Sequence, residues 1–365
     1  MKKLHIENFK CLKDFEIIDL KRVNLFTGRN NTGKSTLLEA ISVFLTSGNM
    51  QWLYKLLFER GELKVDSNKL LLEDNIKLIA SLFNGRDLLS LKEKSINIQT
   101  ETESINLKLV SFIEQDQYKD IDGQNVFLGS IKVPLGPFDG INSSGLEIKL
   151  SKNNSFDSRI VSLVNNPFKD VLDNGKVRIF QYINTSGDNY LMPASLWDKI
   201  TLTEKENNVI EALQIVEPLI ERISFVGENS NGGFRYPVVK IVNDDEKYPL
   251  KSMGEGINRI MNIILALVNS ENGYLLIDEF ENGLHYSVQE KLWEVIFKTA
   301  EKLNVQVFAT THSTDTINSF AKVIGKEKNH EGRLYRMANI KDKIKAYNFS
   351  KEEIIRAANQ QINLR

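Results

Sequence analysis

Apolar residues recur along the chain at two spacings, which predict regions of strand and regions of helix. Where apolar and polar residues alternate, successive side chains lie on opposite faces of a half-buried strand. Where apolar residues recur every three or four positions, they line one face of a helix. The predicted strands are residues 4–9, 15–20, 23–26, 96–100, 105–109, 126–133, 146–150 and 178–183. The predicted helices are residues 34–45, 51–58, 69–83, 203–220 and 257–268.

Two further segments, residues 274–277 and 305–309, are almost entirely apolar. Such runs are typical of parallel strands that are covered on both faces. The helix near residue 203 starts with the capping pair Thr203 and Glu206, and we expect Pro218 to bend or end it. The chain shows no sustained heptad pattern, no internal repeat and no linker-like stretch. The middle of the chain is therefore predicted to be an insertion within one fold.

Composition narrows the class of protein without identifying it. Of 365 residues, 41% are hydrophobic and 26% are charged, which is ordinary for a soluble globular chain. The 47 Lys and Arg nearly balance the 48 Asp and Glu, so net charge indicates neither a nucleic-acid nor a membrane partner. Because the chain has a single cysteine, Cys11, it cannot form an internal disulfide. We expect the small Cys11 side chain to be packed in the protein interior. No apolar run is long enough to span a bilayer, so we expect a cytoplasmic protein with no membrane partner.

The segment from Gly28 to Thr36 matches G-x-x-x-x-G-K-[ST] at every fixed position, between a predicted strand and a predicted helix. This order of elements is typical of a phosphate loop, whose backbone N–H groups and following helix start bind anions. Lys34 would place a positive charge against the β and γ phosphates of ATP, and the Ser35 hydroxyl would bind Mg²⁺. A chance glycine-rich turn is the alternative, which the matching context disfavours. The predicted nucleotide contacts are Asn30, Asn31, Thr32, Gly33, Lys34, Ser35 and Thr36.

Polar residues follow each of the two buried strands. Asp278 and Glu279 end the first strand, and His312 follows the second. Ligands of parallel sheets bind beyond the carboxyl ends of the strands, so we predict that these side chains face the phosphate loop. Asp278 would hold Mg²⁺, Glu279 would orient or deprotonate a water molecule, and His312 would contact the γ-phosphate. The other histidines outside motifs, His5 and His330, are expected on the surface.

A second glycine-containing turn, Lys251 to Gly256, precedes the predicted helix at 257–268. Ser252, Gly254, Glu255 and Gly256 are typical of an anion-binding helix start. Because the chain already has one phosphate loop, a second such element needs another nucleotide or another copy of the chain. Ordinary helix capping by a Ser-x-Gly sequence is the alternative.

In their order along the chain, these motifs resemble those of the ABC-class ATPase heads of SMC, RecF and OLD proteins, and most closely those of stand-alone OLD-like AAA ATPases. The resemblance covers roughly residues 1–50 and 205–365. It implies an α/β P-loop NTPase of ABC-ATPase head type, with a mixed central sheet and flanking helices. Residues 51–204 would form an α+β insertion between the phosphate loop and the signature motif.

The same resemblance implies how the protein would work. Two heads would pair head to tail as a homodimer or larger homo-oligomer and share two ATP molecules. The Ser252–Gly256 element would complete the partner's site, Gly283, Leu284 and His285 would form the D-loop, and His312 would be the switch histidine. Met253 replaces the first glycine of the usual signature, and His285 replaces a common aspartate. OLD proteins usually carry a Toprim nuclease domain, for which the 53 residues after His312 are too few, so a nuclease activity would come from a separate effector.

Several functions are compatible with these motifs. The leading hypothesis is a Mg²⁺-dependent ATPase that couples its nucleotide state to an effector in phage defence or nucleic-acid maintenance. The alternatives are the nucleotide-binding subunit of a membrane transporter, a DNA repair ATPase of RecF type, and a structural binder with little turnover. The basic tail, residues 321–365, is compatible with nucleic-acid binding, although a solvated charged face explains it more simply.

Overall fold

The structure is a computed structural model that describes residues 1–62, 72–86, 91, 93–121, 124–137, 143–153, 155–163, 177–185, 191–227, 235–327, 330–360 and 364. The strands are β1 (Leu4–Phe9), β2 (Leu12–Ile17), β3 (Val23–Thr27), β4 (Ser95–Gln99), β5 (Glu103–Ile121), β6 (Gln124–Pro137), β7 (Ser144–Lys152), β8 (Ser155–Ser162), β9 (Phe180–Ile183), β10 (Ile220–Gly227), β11 (Arg235–Ile241), β12 (Lys247–Pro249), β13 (Tyr274–Ile277), β14 (Gln306–Thr311), β15 (Gly332–Ile340) and β16 (Lys343–Phe349). The helices are α1 (Lys34–Leu45), α2 (Met50–Glu59), α3 (Leu72–Ala80), α4 (Leu191–Asp198), α5 (Glu204–Val216), α6 (Glu255–Val268), α7 (Tyr286–Lys302), α8 (Thr314–Lys326) and α9 (Lys351–Asn359).

The chain divides into two compact units, each made of three segments. Unit 1 comprises residues 1–19, 39–177 and 339–345, and unit 2 comprises residues 20–38, 178–338 and 346–365. These limits differ from the predicted division into core and insertion at residues 50 and 205. The predicted division concerned which residues form the ATPase core and which form the insertion. The division into compact units does not test it, so it stays a prediction.

Unit 1 contains a seven-stranded sheet in the order β2-β1-β4-β5-β7-β8, with β6 also paired to β5. The hairpin expected from residues 96–100 and 105–109 is confirmed, because β4 and β5 pair antiparallel. Its alternating residues bury one face, including Ile96, Ile98 and Leu107. The outer half of β5 pairs with β6, and exposed apolar side chains lie on both strands, such as Tyr118 on β5 and its cross-strand neighbour Phe127 on β6.

Unit 2 is built on a six-stranded sheet in the order β16-β15-β3-β14-β13-β9. Strand β3 lies between β14 and β15 and runs parallel to both. All five of its residues are buried, which is the expected consequence of helices covering both faces of a parallel sheet. Strands β13 and β14 are also parallel neighbours, in the register that aligns Ile277 with Ala309. The carboxyl ends of β3, β13 and β14 therefore lie side by side.

The helix boundaries confirm most of the helical predictions and correct their ends. Helix α5 starts after Thr203, as expected, but the Thr203 hydroxyl accepts from the Lys205 N–H and Glu206 accepts from Leu202, so the capping pair is not reciprocal. The helix ends at Val216, because Pro218 disfavours helical geometry in the residue before it. Helix α3 covers residues 72–80 of the predicted helix at 69–83, and residues 69–71 lie outside the described residues.

Two expectations about side-chain burial were wrong. Cys11 is exposed in the turn between β1 and β2. His330 is only 6% exposed, because its ring stacks on Phe297 and its Nδ1 lies 3.0 Å from the carbonyl oxygen of Val323. In the part of the chain that the structure describes, no helix is long and apolar enough to cross a membrane.

Candidate nucleotide site

The loop between β3 and α1 has the backbone geometry that its glycines predict. Gly28 has φ 152°, Gly33 has φ 83° and Asn31 has φ 61°. Residues other than glycine and asparagine rarely adopt such positive φ angles. A Cβ atom at Gly28 would lie 2.4 Å from the carbonyl oxygen of Met337. Because that neighbour is backbone, the position has no room for a side chain.

The Lys34 side chain is folded back into this loop. Its ammonium donates hydrogen bonds to the carbonyl oxygens of Gly28, at 2.8 Å, and Arg29, at 2.9 Å. The Thr32 hydroxyl donates to the same Arg29 oxygen at 2.9 Å. Lys34 is 5% exposed, so the positive charge is held inside the loop at the start of α1, where the helix N–H groups add a partial positive charge. Residues 30 and 31 are exposed, whereas Thr36 is buried.

Asp278 lies next to the start of α1. Its Oδ1 accepts hydrogen bonds from the Ser35 hydroxyl at 3.1 Å and from the Thr310 hydroxyl at 2.6 Å. The carboxylate is 5% exposed, although 243 residues separate it from Ser35 in the sequence. The structure thus brings together the two side chains that the sequence predicted as Mg²⁺ ligands. Thr310 had been assigned no role from the sequence.

Glu279 turns away from the strand direction immediately after Asp278. Its φ of 48° is unusual for a glutamate, and holding such a residue in this conformation costs about 1–3 kcal/mol. Its backbone N–H donates to the Thr310 hydroxyl at 2.9 Å. Its carboxylate oxygen Oε1 lies 3.4 Å from Nε2 of His312. Both side chains are partly exposed, so each is open to solvent or to a ligand.

His312 is positioned by Glu281, whose role the sequence reasoning missed. One carboxylate oxygen of Glu281 accepts from the His312 backbone N–H at 2.6 Å, and the other accepts from the Thr311 hydroxyl at 2.7 Å. The imidazole Nδ1 is buried and has no hydrogen-bond partner within the described part of the chain. Glu281 therefore positions the backbone at His312, and Nε2 is the ring nitrogen that lies beside Glu279.

Arg259, on α6, is a second residue that the sequence reasoning missed. Its guanidinium donates to the backbone carbonyl of Asp278 at 3.0 Å, to that of Glu279 at 3.3 Å and to that of Asn184 at 3.2 Å. Burial lowers the pKa of Arg259, and the negative charges of the nearby acids oppose this shift. An arginine remains charged under such conditions. Arg259 therefore connects α6, the helix that starts within the Ser252–Gly256 element, to the acidic end of β13.

The Ser252 side chain takes part in a local contact and not in the hydrogen bonds described so far. Ser252 is exposed, and its hydroxyl donates to the carbonyl of Pro249 at 2.7 Å. Gly254, with φ 110°, is the N-cap residue of α6 and has no side chain to cap the helix. The capping alternative for Ser252 is therefore wrong. A Cβ at Gly256 would lie 3.2 Å from the carbonyl oxygen of Gly283, so this helix start lies against the predicted D-loop of the same chain.

His285, in the predicted D-loop, has a local structural role. It is the N-cap residue of α7, where its Nδ1 accepts from the backbone N–H of Ser287 at 3.4 Å. Its ring lies 4.3 Å from that of Tyr286, centroid to centroid. Tyr286 is 65% exposed. An imidazole that caps the helix accounts for a histidine at this position without a direct role in chemistry.

The donor set at Asp278 fits a magnesium ion. Mg²⁺ prefers oxygen ligands and is usually held by one or two protein oxygens together with substrate phosphates and water. The Ser35 hydroxyl and the Asp278 carboxylate provide two such oxygens within 3.1 Å of each other. A loop lined by backbone N–H groups and Lys34 lies directly beside them, and it fits the phosphates of a nucleotide.

The chain is similar to several known proteins. The family described as "AAA domain, putative AbiEii toxin, Type IV TA system" matches residues 23–318. A Helicobacter pylori protein named ATP/GTP phosphatase is 28% identical over 364 residues, which covers 91% of this chain and 90% of that protein. An uncharacterised protein of Methanocaldococcus jannaschii is 41% identical over 85 residues, which covers 23% of this chain and 74% of that protein.

Among solved structures, an SMC head bound to the C-winged helix domain of ScpA aligns with a TM-score of 0.51 and 11% identity. The alignment covers 97% of this chain and 99% of that chain. At this identity the similarity concerns the fold alone. The fold expected from the sequence, a P-loop NTPase of ABC-ATPase head type, is confirmed. The family match covers most of the chain, and the chain belongs to the AAA-domain family with this P-loop ATPase fold.

Proposed function

We propose that this protein binds ATP with Mg²⁺ at the loop of residues 28–36 and hydrolyses it. The observation that carries the proposal is the convergence of the Ser35 and Thr310 hydroxyls on one oxygen of Asp278, beside the Lys34 loop. Membership of the AAA-domain family and the similarity to a protein named ATP/GTP phosphatase support it.

Each residue of the site has a role that follows from its contacts. The Lys34 ammonium, which now donates to two loop carbonyls, would donate to phosphate oxygens instead. Ser35 and Asp278 would hold Mg²⁺, which supplies charge neutralisation on the phosphates. Glu279 would orient the attacking water and accept its proton, because its carboxylate is the partly exposed acid at the end of β13. His312, 3.4 Å from Glu279, would hold the γ-phosphate or the water through Nε2.

We infer that a second copy of the chain completes the site. Residues Ser252, Gly254, Glu255 and Gly256 would contact the nucleotide bound to the partner copy. Two observations support this inference: Ser252 is exposed, and α6 starts at a glycine that leaves its first N–H groups without a side-chain cap. The Arg259 contacts with the carbonyls of Asp278 and Glu279 give a physical route by which docking at α6 would affect the catalytic acids.

The cycle of ATP-driven pairing and hydrolysis would control a separate effector. The description of the family refers to a toxin–antitoxin system, and the motifs resemble those of OLD-like proteins. Both support a defence role, in which the effector would be a different polypeptide such as a Toprim-like nuclease. A RecF-type role in DNA repair is the alternative, and it predicts that DNA stimulates turnover.

The test is the Glu279→Gln variant, with Glu271→Gln as a matched control at a part-exposed glutamate in the turn after α6. Glu279→Gln is expected to bind ATP as the wild type does and to turn it over roughly a hundredfold more slowly or worse, because a general base contributes about 10²–10⁴-fold. With ATP it should accumulate as a dimer in size-exclusion chromatography with light scattering. Ser252→Arg should prevent this dimer without weakening nucleotide binding by the monomer.

Two results would contradict these proposals separately. Wild-type turnover in Glu279→Gln would remove that residue from catalysis. A Glu279→Gln protein that binds ATP and stays monomeric would refute the shared site while leaving nucleotide binding intact. Measuring turnover with and without added DNA distinguishes the repair role from the effector role.

A further inference from the structure

A group of metal-ligating side chains lies in unit 1, on residues that the nucleotide site does not use. His5 and Glu7 are two positions apart on β1 and therefore lie on the same face of the sheet. Asp14 on β2 is the direct cross-strand neighbour of Glu7. One ligand atom from each residue can be chosen so that all three lie within 4.8 Å of one another.

The backbone under this group is firmly held. The residues that alternate with it, Leu4, Ile6 and Phe15, are at most 1% exposed and belong to the core of the unit. Strand β1 is paired on both sides, with β2 and with β4. Sheet hydrogen bonds on both sides therefore fix the backbone of His5 and Glu7, and Asp14 lies on the edge strand β2, which is held by its pairing with β1 and by the packing of Phe15 underneath.

The side chains are also oriented by contacts. Oε2 of Glu7 accepts a hydrogen bond of 3.0 Å from the Asn97 amide, and Asn97 is the direct neighbour of Glu7 on β4. Nε2 of His5 lies 2.8 Å from Oδ1 of Asp14. A hydrogen bond from an outer residue to a carboxylate ligand is typical of metal sites, because it fixes the ligand's orientation.

The charges at this position favour a cation. Glu7 and Asp14 bring two carboxylates together, whereas the charge of Glu16, the cross-strand neighbour of His5, is balanced by its ion pair with Lys3 at 2.7 Å. Asn97 is neutral, so it relieves little of the repulsion between Glu7 and Asp14. A divalent cation between them would offset that repulsion and take the place of the contact between His5 and Asp14.

We propose that His5, Glu7 and Asp14 bind a divalent transition-metal ion, with Zn²⁺ as the probe. One imidazole nitrogen and two carboxylate oxygens suit zinc, manganese or iron, whereas Mg²⁺ and Ca²⁺ prefer oxygen ligands alone. Three protein ligands leave at least one position for water. Because the ligands come from two adjacent strands, the ion would tie β1 to β2 and stabilise this end of the sheet.

The experiment uses the full-length, tag-free protein, stripped of metal with a chelator and titrated with ZnCl₂ by calorimetry. The ligand variants are His5→Ala and Asp14→Asn. The matched controls are Glu16→Gln, on the same face of the sheet, and Cys11→Ser, which removes the exposed thiol nearby. Circular dichroism confirms that each variant is folded, and Asp14→Asn keeps the test valid if His5→Ala does not fold, because Asp14 is exposed.

The wild type and both controls are expected to bind one more equivalent of Zn²⁺ than His5→Ala, and Asp14→Asn should bind that equivalent at least tenfold more weakly. Zinc should raise the melting temperature of the wild type and the controls, and not that of His5→Ala. Equal stoichiometry and affinity in the wild type, His5→Ala and Asp14→Asn would overturn the proposal. Loss of the extra equivalent in Cys11→Ser would assign the metal to the thiol and overturn it as well.

Discussion

Thr310 is the residue whose replacement tests the reasoning about the catalytic acids most directly. Its hydroxyl is fully buried; it donates to Oδ1 of Asp278 at 2.6 Å and accepts from the backbone N–H of Glu279 at 2.9 Å. Thr310→Val keeps the shape of the side chain and removes both hydrogen bonds. Thr310→Ser keeps the hydroxyl and removes a methyl group, so it serves as the matched control.

The size of the effect follows from these two hydrogen bonds. A hydrogen bond to a charged group contributes about 1.5–3 kcal/mol, and a buried N–H left unpaired costs about 1–3 kcal/mol. We therefore expect Thr310→Val to lower the free energy of unfolding by about 2–4 kcal/mol. If the bond to Asp278 is needed in the transition state, its loss should reduce kcat/KM by roughly 10- to 100-fold, since about 1.4 kcal/mol corresponds to a factor of ten.

The assay is steady-state ATP hydrolysis over a range of Mg²⁺ concentrations, together with urea unfolding. Thr310→Val should need more Mg²⁺ for half-maximal turnover, because Asp278 would be less well oriented. Its affinity for ATP without Mg²⁺ should match that of the wild type, since the contacts of Lys34 are unchanged. Thr310→Ser should stay close to the wild type in both assays. Wild-type turnover and Mg²⁺ dependence in Thr310→Val would refute the role given to this hydroxyl.

Two further predictions concern the loop and the surface. Gly28→Ala should abolish ATP binding in a fluorescent-nucleotide titration, because its Cβ would lie 2.4 Å from a backbone oxygen; unchanged affinity would show that the loop adapts. Hydrogen bonding and charge from Lys326 lower the pKa of Glu290, and both Glu290 and Glu294 raise that of Lys326. At neutral pH, Lys326→Met should thus lower the free energy of unfolding by at most about 1 kcal/mol, the limit for exposed ion pairs. In urea titrations this difference from the wild type should vanish as pH falls below the ordinary glutamate pKa. A difference that persists in acid would contradict the ion pairs.

The nucleotide site shows how far a linear pattern can predict three-dimensional structure. The strand, loop and helix around Lys34 were predictable because their geometry depends on neighbouring residues: the glycines allow the turn, and the helix start follows directly. The contact between Ser35 and Asp278 was also predictable, because ligands of a parallel sheet gather at the carboxyl ends of its strands. The role of Thr310 depends on strand register: because Ile277 pairs with Ala309, the residues that follow them, Asp278 and Thr310, lie side by side. The sequence does not specify that register.

Arg259 and Glu281 illustrate what the sequence left undetermined. Arg259 bonds to carbonyls 19 and 20 residues away, and Glu281 bonds to residues 30 and 31 positions away. Arg259 acts on backbone carbonyls that any residue type could supply, and Glu281 contacts Thr311 and His312 at the end of another strand, which spacing along the chain does not reveal. His5 was predicted only as a surface residue, because its contact with Asp14 depends on the pairing of β1 with β2.

The sequence by itself determined the local chemistry of this protein: the phosphate loop, the acidic strand end and the periods of its strands and helices. These features depend on residues a few positions apart, whose geometry the covalent chain fixes. Only the tertiary structure decided which hydroxyl supports Asp278, which acid holds His312 and which face carries His5, Glu7 and Asp14 together. Strand register and helix docking set those pairings, and both result from the packing of the whole core.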